Sequence, residues 1–187
     1  MRRITLTILF SLTIVICFGQ EYNFKTISVR EGLLNSRIKA IAKSPNGYMW
    51  FGTMSGISRY DGFEMKNFTV DDSLCNNRVR TLEFVENRLF IGTDYGMSIY
   101  DNNKFHNYDL KEFGATAINK IIPVGDQILL LTDHGVLRMK GSKISRIAIS
   151  SIIDDEEIKT GIITSKGDVL ISTDRQGLYR LTRSGNS

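Results

Sequence analysis

Short apolar and polar blocks alternate along the chain, and the same arrangement returns about every forty residues. Four segments align with one another over 35–68, 76–108, 116–147 and 157–187. Their shared threonine recurs at intervals of 40, 39 and 41 residues, at Thr53, Thr93, Thr132 and Thr173. A glycine follows each threonine after three or four positions. Self-similarity at a fixed period of this length is typical of repeat architectures, so the chain is predicted to fold as four structural repeats.

Each repeat predicts four short strands joined by tight turns. First strands are predicted at 38–43, 79–85, 118–124 and 158–165. The second strand is apolar on both faces, as in Met49-Trp50-Phe51, and such a strand is expected to be covered on both sides. Third strands are predicted at 57–60, 97–100, 136–139 and 178–181, and more polar fourth strands at 63–69 and 104–108. Four strands per repeat with a doubly buried second strand predict an all-β fold, a β-propeller of four-stranded blades.

The two ends of the repeat region bear on how the propeller closes. The repeat units span about 35–75, 76–115, 116–156 and 157–187, and 22–29 resembles an orphan outer strand without a blade of its own. The fourth unit lacks an outer strand, so the orphan strand could complete it and give a closed four-blade ring. The alternative is a fragment of a larger propeller, whose open ends would expose apolar faces and favour a homo-oligomer. A parallel solenoid or two stacked sheets explain the spacing less well.

The first nineteen residues differ from the repeats and have the form of a secretory signal peptide. Two basic residues precede the apolar stretch 4–16, and Gly19 offers a small residue for cleavage. We therefore predict a signal peptide at 1–19 and a periplasmic or secreted mature chain. An uncleaved anchor and a lipid-modified Cys17 are alternatives, although the apolar stretch is shorter than the ~20 residues that span a bilayer.

Charge and cysteine content narrow the function classes. The chain has 24 Lys and Arg against 20 Asp and Glu, and two of the bases lie in the predicted signal peptide, so the mature chain is close to neutral. No basic patch interleaved with aromatic residues occurs, and a nucleic-acid partner is therefore not expected. Cleavage leaves Cys75 as the single cysteine, so no internal disulfide can form and a buried small hydrophobe is expected there.

The repeats resemble the two-component regulator propeller repeat. The stretch NSRIKAIAKSPNGYMWFGTMSGISRYDG is similar to that family's pattern, in which an apolar W-I-G-T is followed by G-L-x-x-Y-D. The resemblance extends over 22–187 and weakens in the third unit, where Leu131 replaces the glycine before Thr132. It implies the periplasmic sensor part of a bacterial hybrid two-component system, in which seven-bladed propellers precede a sandwich domain, a membrane helix and a histidine kinase.

The same resemblance implies a function and a set of partners. The chain is expected to be an exported ligand-binding sensor module, with an oligosaccharide as ligand and no cofactor. Further propeller repeats or a sensor kinase are the implied partners, and membrane attachment is implied only through a full-length receptor. The sequence has four units and no kinase region, so kinase activity is not carried over to it. The alternative is a truncated, purely structural or protein-interaction propeller segment without a ligand of its own.

Propeller geometry indicates where a ligand would bind. The turn between the second and third strands lies on the same face as the connections between blades, which we call the connection face, and loops on a rigid scaffold often carry binding. Ligand contacts are predicted from residues that differ between the units, at Arg37, Asn77, Arg78, Tyr95, His134, Arg175 and Gln176. Such side chains suit a polar or anionic sugar. The alternative is that they are solvated loop residues, with Thr and Asp capping the turns.

The sequence gives little support to catalysis, and the chain is predicted not to be an enzyme. Its two histidines, His106 and His134, have no sequence reason to meet, and no His, Cys or Asp spacing resembles a metal site. The acidic run 154–157 is expected to be a solvated connector. Trp50 lies in a doubly apolar strand and is expected to pack in the core.

Overall fold

A computed structural model describes residues 23–149 and 155–182; the predicted signal peptide lies outside the described residues. The described strands form four antiparallel sheets in which each strand pairs with the next along the chain. The first sheet consists of β1 (Ile38–Lys43), β2 (Met49–Thr53), β3 (Gly56–Tyr60) and β4 (Met65–Phe68). The second consists of β5 (Val79–Val85), β6 (Arg88–Thr93), β7 (Met97–Asp101) and β8 (Lys104–Tyr108).

The third and fourth sheets follow the same order. The third consists of β9 (Ile118–Val124), β10 (Gln127–Thr132), β11 (Val136–Lys140) and β12 (Lys143–Ile147). The fourth has three strands among the described residues, β13 (Ile158–Ile163), β14 (Val169–Thr173) and β15 (Leu178–Leu181). The first strands of neighbouring sheets contact one another in the order β1, β5, β9, β13. The sheets are therefore the blades of a propeller, and the predicted all-β propeller fold is confirmed.

The core lies between successive blades. Three buried clusters fill the three junctions, and they contain the apolar second strands, including Trp50, Phe90 and Leu130. Trp50 is 3% exposed and stacks on Phe68, with ring centroids 5.8 Å apart. The second strands of the two middle blades are covered by a blade on each side, which is why they are apolar on both faces.

The recurring threonine holds the turn between the second and third strands of every blade. Its hydroxyl donates to the carbonyl of the glycine that follows, at 2.9 Å from Thr53 to Gly56 and at 3.2 Å from Thr173 to Gly177. The same oxygen accepts the backbone N–H two or three residues further along. The glycine has positive φ, 129° at Gly56, a conformation that only glycine adopts without steric cost. This pair therefore belongs to the scaffold.

One small residue lets each blade approach the next at the level of the second strand. A Cβ on Gly52 would lie 2.6 Å from Val79 Cγ1 and 3.3 Å from Leu82 Cγ. In the third blade Leu131 stands in the position of that glycine and is fully buried. Facing it, a Cβ on Gly161 would lie 2.9 Å from Leu131 Cδ1. At this junction the small residue has moved from the second strand of one blade to the first strand of the next.

The connections that precede the first two blades are built alike, as the likeness between 22–38 and 63–79 predicts. Each contains a single 3-10 turn, Val29–Glu31 in one and Val70–Asp72 in the other, and each turn has a capping box. Each connection is then fixed to the third strand of the blade that follows it. Leu34 N donates to Ser58 Oγ at 3.1 Å, and Cys75 N donates to Ser98 Oγ at 3.0 Å.

The N-terminal segment does not form the outer strand expected at 22–29. Position 22 lies outside the described residues, and the segment from 23 to 28 has no strand partner among residues 23–149 and 155–182. Val29–Glu31 forms a 3-10 turn because the Glu31 carboxylate accepts the Ser28 N–H at 2.7 Å and Gly32 then turns the chain with φ of 99°. The fourth blade takes no strand from this segment. The described blades form an open arc, so the closed four-blade ring is not observed and the structure is consistent with a propeller fragment.

Candidate functional site

Four β-bulges mark the start of the first strands on the connection face. The pairing register with the second strand skips one residue in each blade, namely Lys39, Arg80, Asn119 and Lys159. A bulge leaves one residue unpaired and changes the direction of its side chain. The four side chains border one groove of about 530 Å3 on the inner side of the arc, which we call the central groove. Its other polar lining residues are Arg78, Asp94 and Glu157.

A chain of hydrogen bonds crosses the central groove and joins three blades. The Arg80 guanidinium pairs with Asp94 through Nε and donates to Asn119 Oδ1 at 2.5 Å through Nη1. Asn119 Nδ2 in turn donates to Glu157 Oε1 at 3.2 Å. Lys159 Nζ donates to Glu157 Oε2 at 2.7 Å. Three of the four bulged side chains, Arg80, Asn119 and Lys159, are thus held in place by one hydrogen-bonded chain.

Charges of both signs line the central groove. Hydrogen bonds to Glu157 and Asp174 raise the pKa of Lys159, whose Nζ lies 3.0 Å from Asp174 Oδ1. Lys39 makes no ion pair with any residue that the structure describes. The groove therefore offers fixed donors and acceptors on one side and an unpaired ammonium group on the other.

Of the seven predicted site residues, Arg78 lines the central groove. Its side chain is 60% exposed, and its Nη1 lies 3.4 Å from Asp94 Oδ2. The neighbouring Asn77 has a structural contact, because its Oδ1 accepts the Val70 N–H at 2.9 Å and fixes the connection. Arg37 is exposed, and its side chain makes no polar contact with a described residue. Of the seven predicted residues, Arg78 is therefore the one that lies beside the polar side chains of the central groove.

The predicted site residues in the turns between second and third strands lie apart from the central groove. Tyr95 is 63% exposed and borders a different groove of about 410 Å3, together with Cys75 and Lys111. His134 is half-exposed, with Nδ1 3.8 Å from Asp133 Oδ2. Arg175 and Gln176 are exposed in the last turn, and their side chains make no polar contact within the described chain. The structure does not gather the seven residues into one site, and their role in binding stays a prediction.

Asp133 holds the connection that leads into its own blade. Its carboxylate accepts the Thr116 N–H at 2.9 Å, the Thr116 hydroxyl at 2.6 Å and the Ala117 N–H at 3.0 Å. Burial pushes the pKa of Asp133 upward, but these hydrogen bonds outweigh it, and the pKa is lowered. The carboxylate is therefore an acceptor for donors of the connection rather than a cap of its own turn, and its role here is structural.

Sequence reasoning missed the bulged residues and the contribution of the acidic run. In the repeat alignment the second residue of each first strand is polar, beside an apolar first residue, and this pattern could have singled out Arg80, Asn119 and Lys159. The run 154–157 was expected to be a solvated connector. Its last member, Glu157, instead bridges two blades through Asn119 and Lys159, because it lies one residue before β13 on the connection face.

The described residues also bear on metal binding and on membrane insertion. Residues 23–149 and 155–182 contain no group of three or more His, Cys, Asp or Glu side chains that could hold a metal ion. No helix in these two ranges is long and apolar enough to cross a membrane. Cys75 is a free, partly buried thiol whose Sγ lies 3.5 Å from Thr93 Oγ1.

Solved structures with the same fold include extracellular domains and a bacterial surface protein. The extracellular domain assigned to the hybrid two component system BT3049 of B. thetaiotaomicron superposes with a TM-score of 0.73 at 18% identity, over 87% of this chain and 25% of that one. The corresponding domain of BT4673 from the same organism gives 0.69 at 18% identity, over 90% and 22%. PorZ, a surface component of the type-IX secretion system of Porphyromonas gingivalis, gives 0.64 at 15% identity, over 88% and 24%.

These similarities support the propeller fold, and they show how much of each relative the chain covers. The chain spans about a quarter of the length of the two hybrid-system domains, as expected for an arc taken from a larger propeller assembly. No curated protein sequence matches the chain. A family model described as two component regulator propeller matches residues 32–55, which include β1, β2 and the threonine turn. The resemblance read from the repeats, to the two-component regulator propeller, is thereby confirmed.

Proposed function

We propose that the chain is the exported ligand-binding propeller of a signal-transduction receptor, that it senses a saccharide in the central groove, and that a sensor kinase is its partner. The observation that carries the proposal is the set of four bulges, which place polar side chains from four blades around one groove. Binding sites commonly combine a rigid scaffold with a few converging polar groups. The likeness to extracellular domains of hybrid two component systems supports the signalling context.

The chemistry of the central groove suits a ligand rich in hydroxyl groups. A sugar hydroxyl both donates and accepts, and the groove presents guanidinium, ammonium and amide donors beside the carboxylates of Asp94 and Glu157. Lys39 and Arg78 lie at its solvent side, where they can turn toward a ligand without breaking the network around Asn119. A ligand that spans the groove would contact several blades at once, so its affinity would depend on the relative position of those blades.

Thermal shift of the full chain against a panel of neutral and acidic oligosaccharides tests this proposal. We expect at least one oligosaccharide to raise Tm, and we expect the Arg78→Ala and Lys39→Ala variants to lose that shift while keeping the unliganded Tm. Lys140→Ala is the matched control, because Lys140 is an exposed lysine whose Nζ pairs with Asp126 at 2.7 Å, away from the groove. No shift with any sugar, or an equal shift in the Lys39 and Lys140 variants, would contradict saccharide binding in this groove.

A second candidate function is docking of other propeller segments, and the exposure of apolar residues at the two ends of the arc favours it. Ile41 on the first blade is 58% exposed, whereas Leu82, its counterpart on the second blade, is 5% exposed. Leu178 on the fourth blade is 69% exposed, whereas its counterpart Met97 is fully buried. Each exposed residue occupies a position that a neighbouring blade covers elsewhere in the same chain.

Light scattering during size-exclusion chromatography tests docking, since the chain is itself a propeller segment. Association at micromolar concentration is expected, and Ile41→Lys with Leu178→Lys should restore the monomer without lowering Tm. A wild-type chain that is monomeric at all concentrations would argue against an interaction role for these ends.

A further inference from the structure

A second polar groove lies between the first two blades, on the face opposite the connections. It has a volume of about 430 Å3 and opens beside the β1–β2 and β5–β6 turns. Its floor is aromatic: Tyr48 and Trp50 come from the first blade, and Phe84 and Tyr100 from the second. We call it the inter-blade groove. Neither the predicted site residues nor the bulged residues of the central groove line it.

Among the residues that the structure describes, Arg59 is the single charged side chain that lines the inter-blade groove. Its guanidinium carbon lies 4.6 Å from the ring centroid of Tyr48 and 5.6 Å from that of Trp50. This stacking holds the guanidinium plane over the rings, while the N–H donors at its edge form no hydrogen bond or ion pair with a residue that the structure describes. A stacked guanidinium without a carboxylate is suited to receive one, because its paired N–H groups match the two oxygens of a carboxylate.

Side-chain amides surround Arg59 in the inter-blade groove. They come from three different turns and belong to Asn46, Asn87, Asn102 and Asn103. Asn103 Oδ1 accepts the Tyr100 hydroxyl at 2.8 Å, and this contact leaves the Asn103 amide N–H groups available. Within the described chain no aspartate or glutamate lines the groove. The carboxylate of Asp61 lies near Arg59, and its pKa is lowered by hydrogen bonds from the Glu64 and Phe63 N–H groups and by the charge of Arg59. The lining therefore combines one positive charge, neutral donors and acceptors, and aromatic faces.

Trp50 lines the same groove with its ring. Its indole Nε1 is buried and has no acceptor among the described residues. Buried polar groups are normally hydrogen-bonded. Because this nitrogen is closed off from solvent, a ligand could bond to it only if the side chains around the ring moved, and the binding proposed below does not depend on it.

We propose that the inter-blade groove binds an acidic saccharide, with the carboxylate of a uronic acid on Arg59 and the sugar rings against the aromatic floor. The amides then contact the hydroxyl groups. This site is independent of the central groove, and it assigns a role to a face of the arc that carries no connection between blades. Aromatic stacking and amide hydrogen bonds suit the sugar, and the guanidinium distinguishes an acidic sugar from a neutral one.

A second arginine, Arg88, also lies over an aromatic ring, but its guanidinium pairs with a carboxylate. The Arg88 guanidinium carbon lies 5.6 Å from the ring centroid of Phe90, and its Nη2 lies 3.8 Å from Glu86 Oε2. Arg88 has a carboxylate from its own turn and does not line the inter-blade groove. Arg59 has the ring contacts without an ion pair to any described residue, so Arg88 is a matched control for it.

Tryptophan fluorescence offers a local readout, because Trp50 is the single tryptophan of the chain. Trigalacturonate is the probe, its methyl ester is the neutral counterpart, and sodium sulfate at equal ionic strength tests for an anion site without sugar selectivity. Titration of the full chain is expected to change Trp50 emission with trigalacturonate at submillimolar concentrations and at least tenfold more weakly with the ester. Equal affinity for acid and ester, or equal affinity for sulfate and trigalacturonate, would overturn the proposal.

Variants separate binding from folding. Arg59→Gln and Asn87→Asp should each weaken trigalacturonate binding at least tenfold, the first by removing the charge and the second by adding a repelling carboxylate at an exposed position. Arg88→Gln should bind as the wild type does. If Arg59→Gln lowers Tm, the result with Asn87→Asp is the test of binding. The Asn87 side chain makes no polar contact within the described chain, so this substitution is not expected to disturb folding. Unchanged binding in Asn87→Asp, or an equal loss in Arg88→Gln, would show that the groove is not the site.

Discussion

The junction between the first and second blades and the junction between the third and fourth solve the same packing problem in opposite ways. In the first, Gly52 lies on the second strand and Leu82 on the first strand of the next blade. In the other, Leu131 lies on the second strand and faces Gly161 on the first strand of the next blade. A large and a small residue meet at both junctions, with their places exchanged.

The exchange shows that the distance between blades depends on the sum of two side chains rather than on a fixed motif. Protein interiors are packed about as densely as crystals of small molecules, so a gain of volume on one side has to be matched by a loss on the other. The third unit therefore departs from the repeat pattern at Leu131 without departing from the fold. The departure is compensated one blade later.

Removal of the large residue at the exchanged junction is expected to have the largest effect. Leu131→Gly should lower the free energy of unfolding by about 3–5 kcal/mol, because it leaves a cavity opposite Gly161 and adds backbone freedom in a strand. Urea denaturation followed by circular dichroism gives the difference.

The double variant Leu131→Gly with Gly161→Leu sharpens this test, since it rebuilds the arrangement of the first junction. We expect it to recover at least about 1 kcal/mol relative to the sum of the two single variants, as contacting residues are not additive. Strict additivity would mean that the two residues do not compensate each other.

Addition of volume at the first junction is expected to have the next largest effect. A Cβ on Gly52 would lie 2.6 Å from Val79 Cγ1, and Gly52→Ala should therefore destabilise the chain by about 1–3 kcal/mol through overpacking. Differential scanning calorimetry measures the loss as a lower Tm. In a Val79→Ala background the same substitution should cost clearly less, and an undiminished cost there would place the strain elsewhere.

This pair of junctions also shows how far sequence reasoning reaches. The strands were predictable because every unit repeats one apolar pattern, and β8 lies at the predicted 104–108. The packing partner of Leu131 could not be predicted, because the contact with Gly161 forms only when two blades lie side by side. Of the site, Arg78 was predicted from its place in a connection. Arg80 and Asn119 were missed because their position in the first strand suggested regular pairing, whereas a bulge directs them into the central groove.

Polar contacts also differ between blades, and the third blade relies on the partly buried carboxylate of Asp133. Asp133→Asn should cost about 1–2 kcal/mol at pH 7, because the amide cannot accept all of the hydrogen bonds from Thr116 and Ala117. The pKa of Asp133 is lowered in the fold, so its stabilisation is present above the pKa of the unfolded carboxyl, about 3.9, and is lost as pH falls through the lower folded value.

Urea denaturation of both chains from pH 7 to pH 3 measures this dependence. The difference between wild type and Asp133→Asn is expected to be constant down to about pH 4.5 and to shrink below it. Asp94→Asn provides the comparison at the second blade, where the carboxylate pairs with the arginines Arg78 and Arg80. A difference that stayed constant through pH 3 would remove the assigned role of the Asp133 carboxylate.

The smallest effect is expected at the exposed ion pair of the second blade. Arg78 Nη1 lies 3.4 Å from Asp94 Oδ2, and the arginine side chain is 60% exposed. Exposed pairs of this kind contribute about 0–1 kcal/mol, and Arg80 remains to pair with Asp94 in the Arg78→Ala variant. Urea denaturation should therefore give a change below about 0.5 kcal/mol. A loss of several kcal/mol would mean that Arg78 stabilises the second blade as Asp133 stabilises the third. Arg78 would then have a structural role instead of the binding role proposed for it.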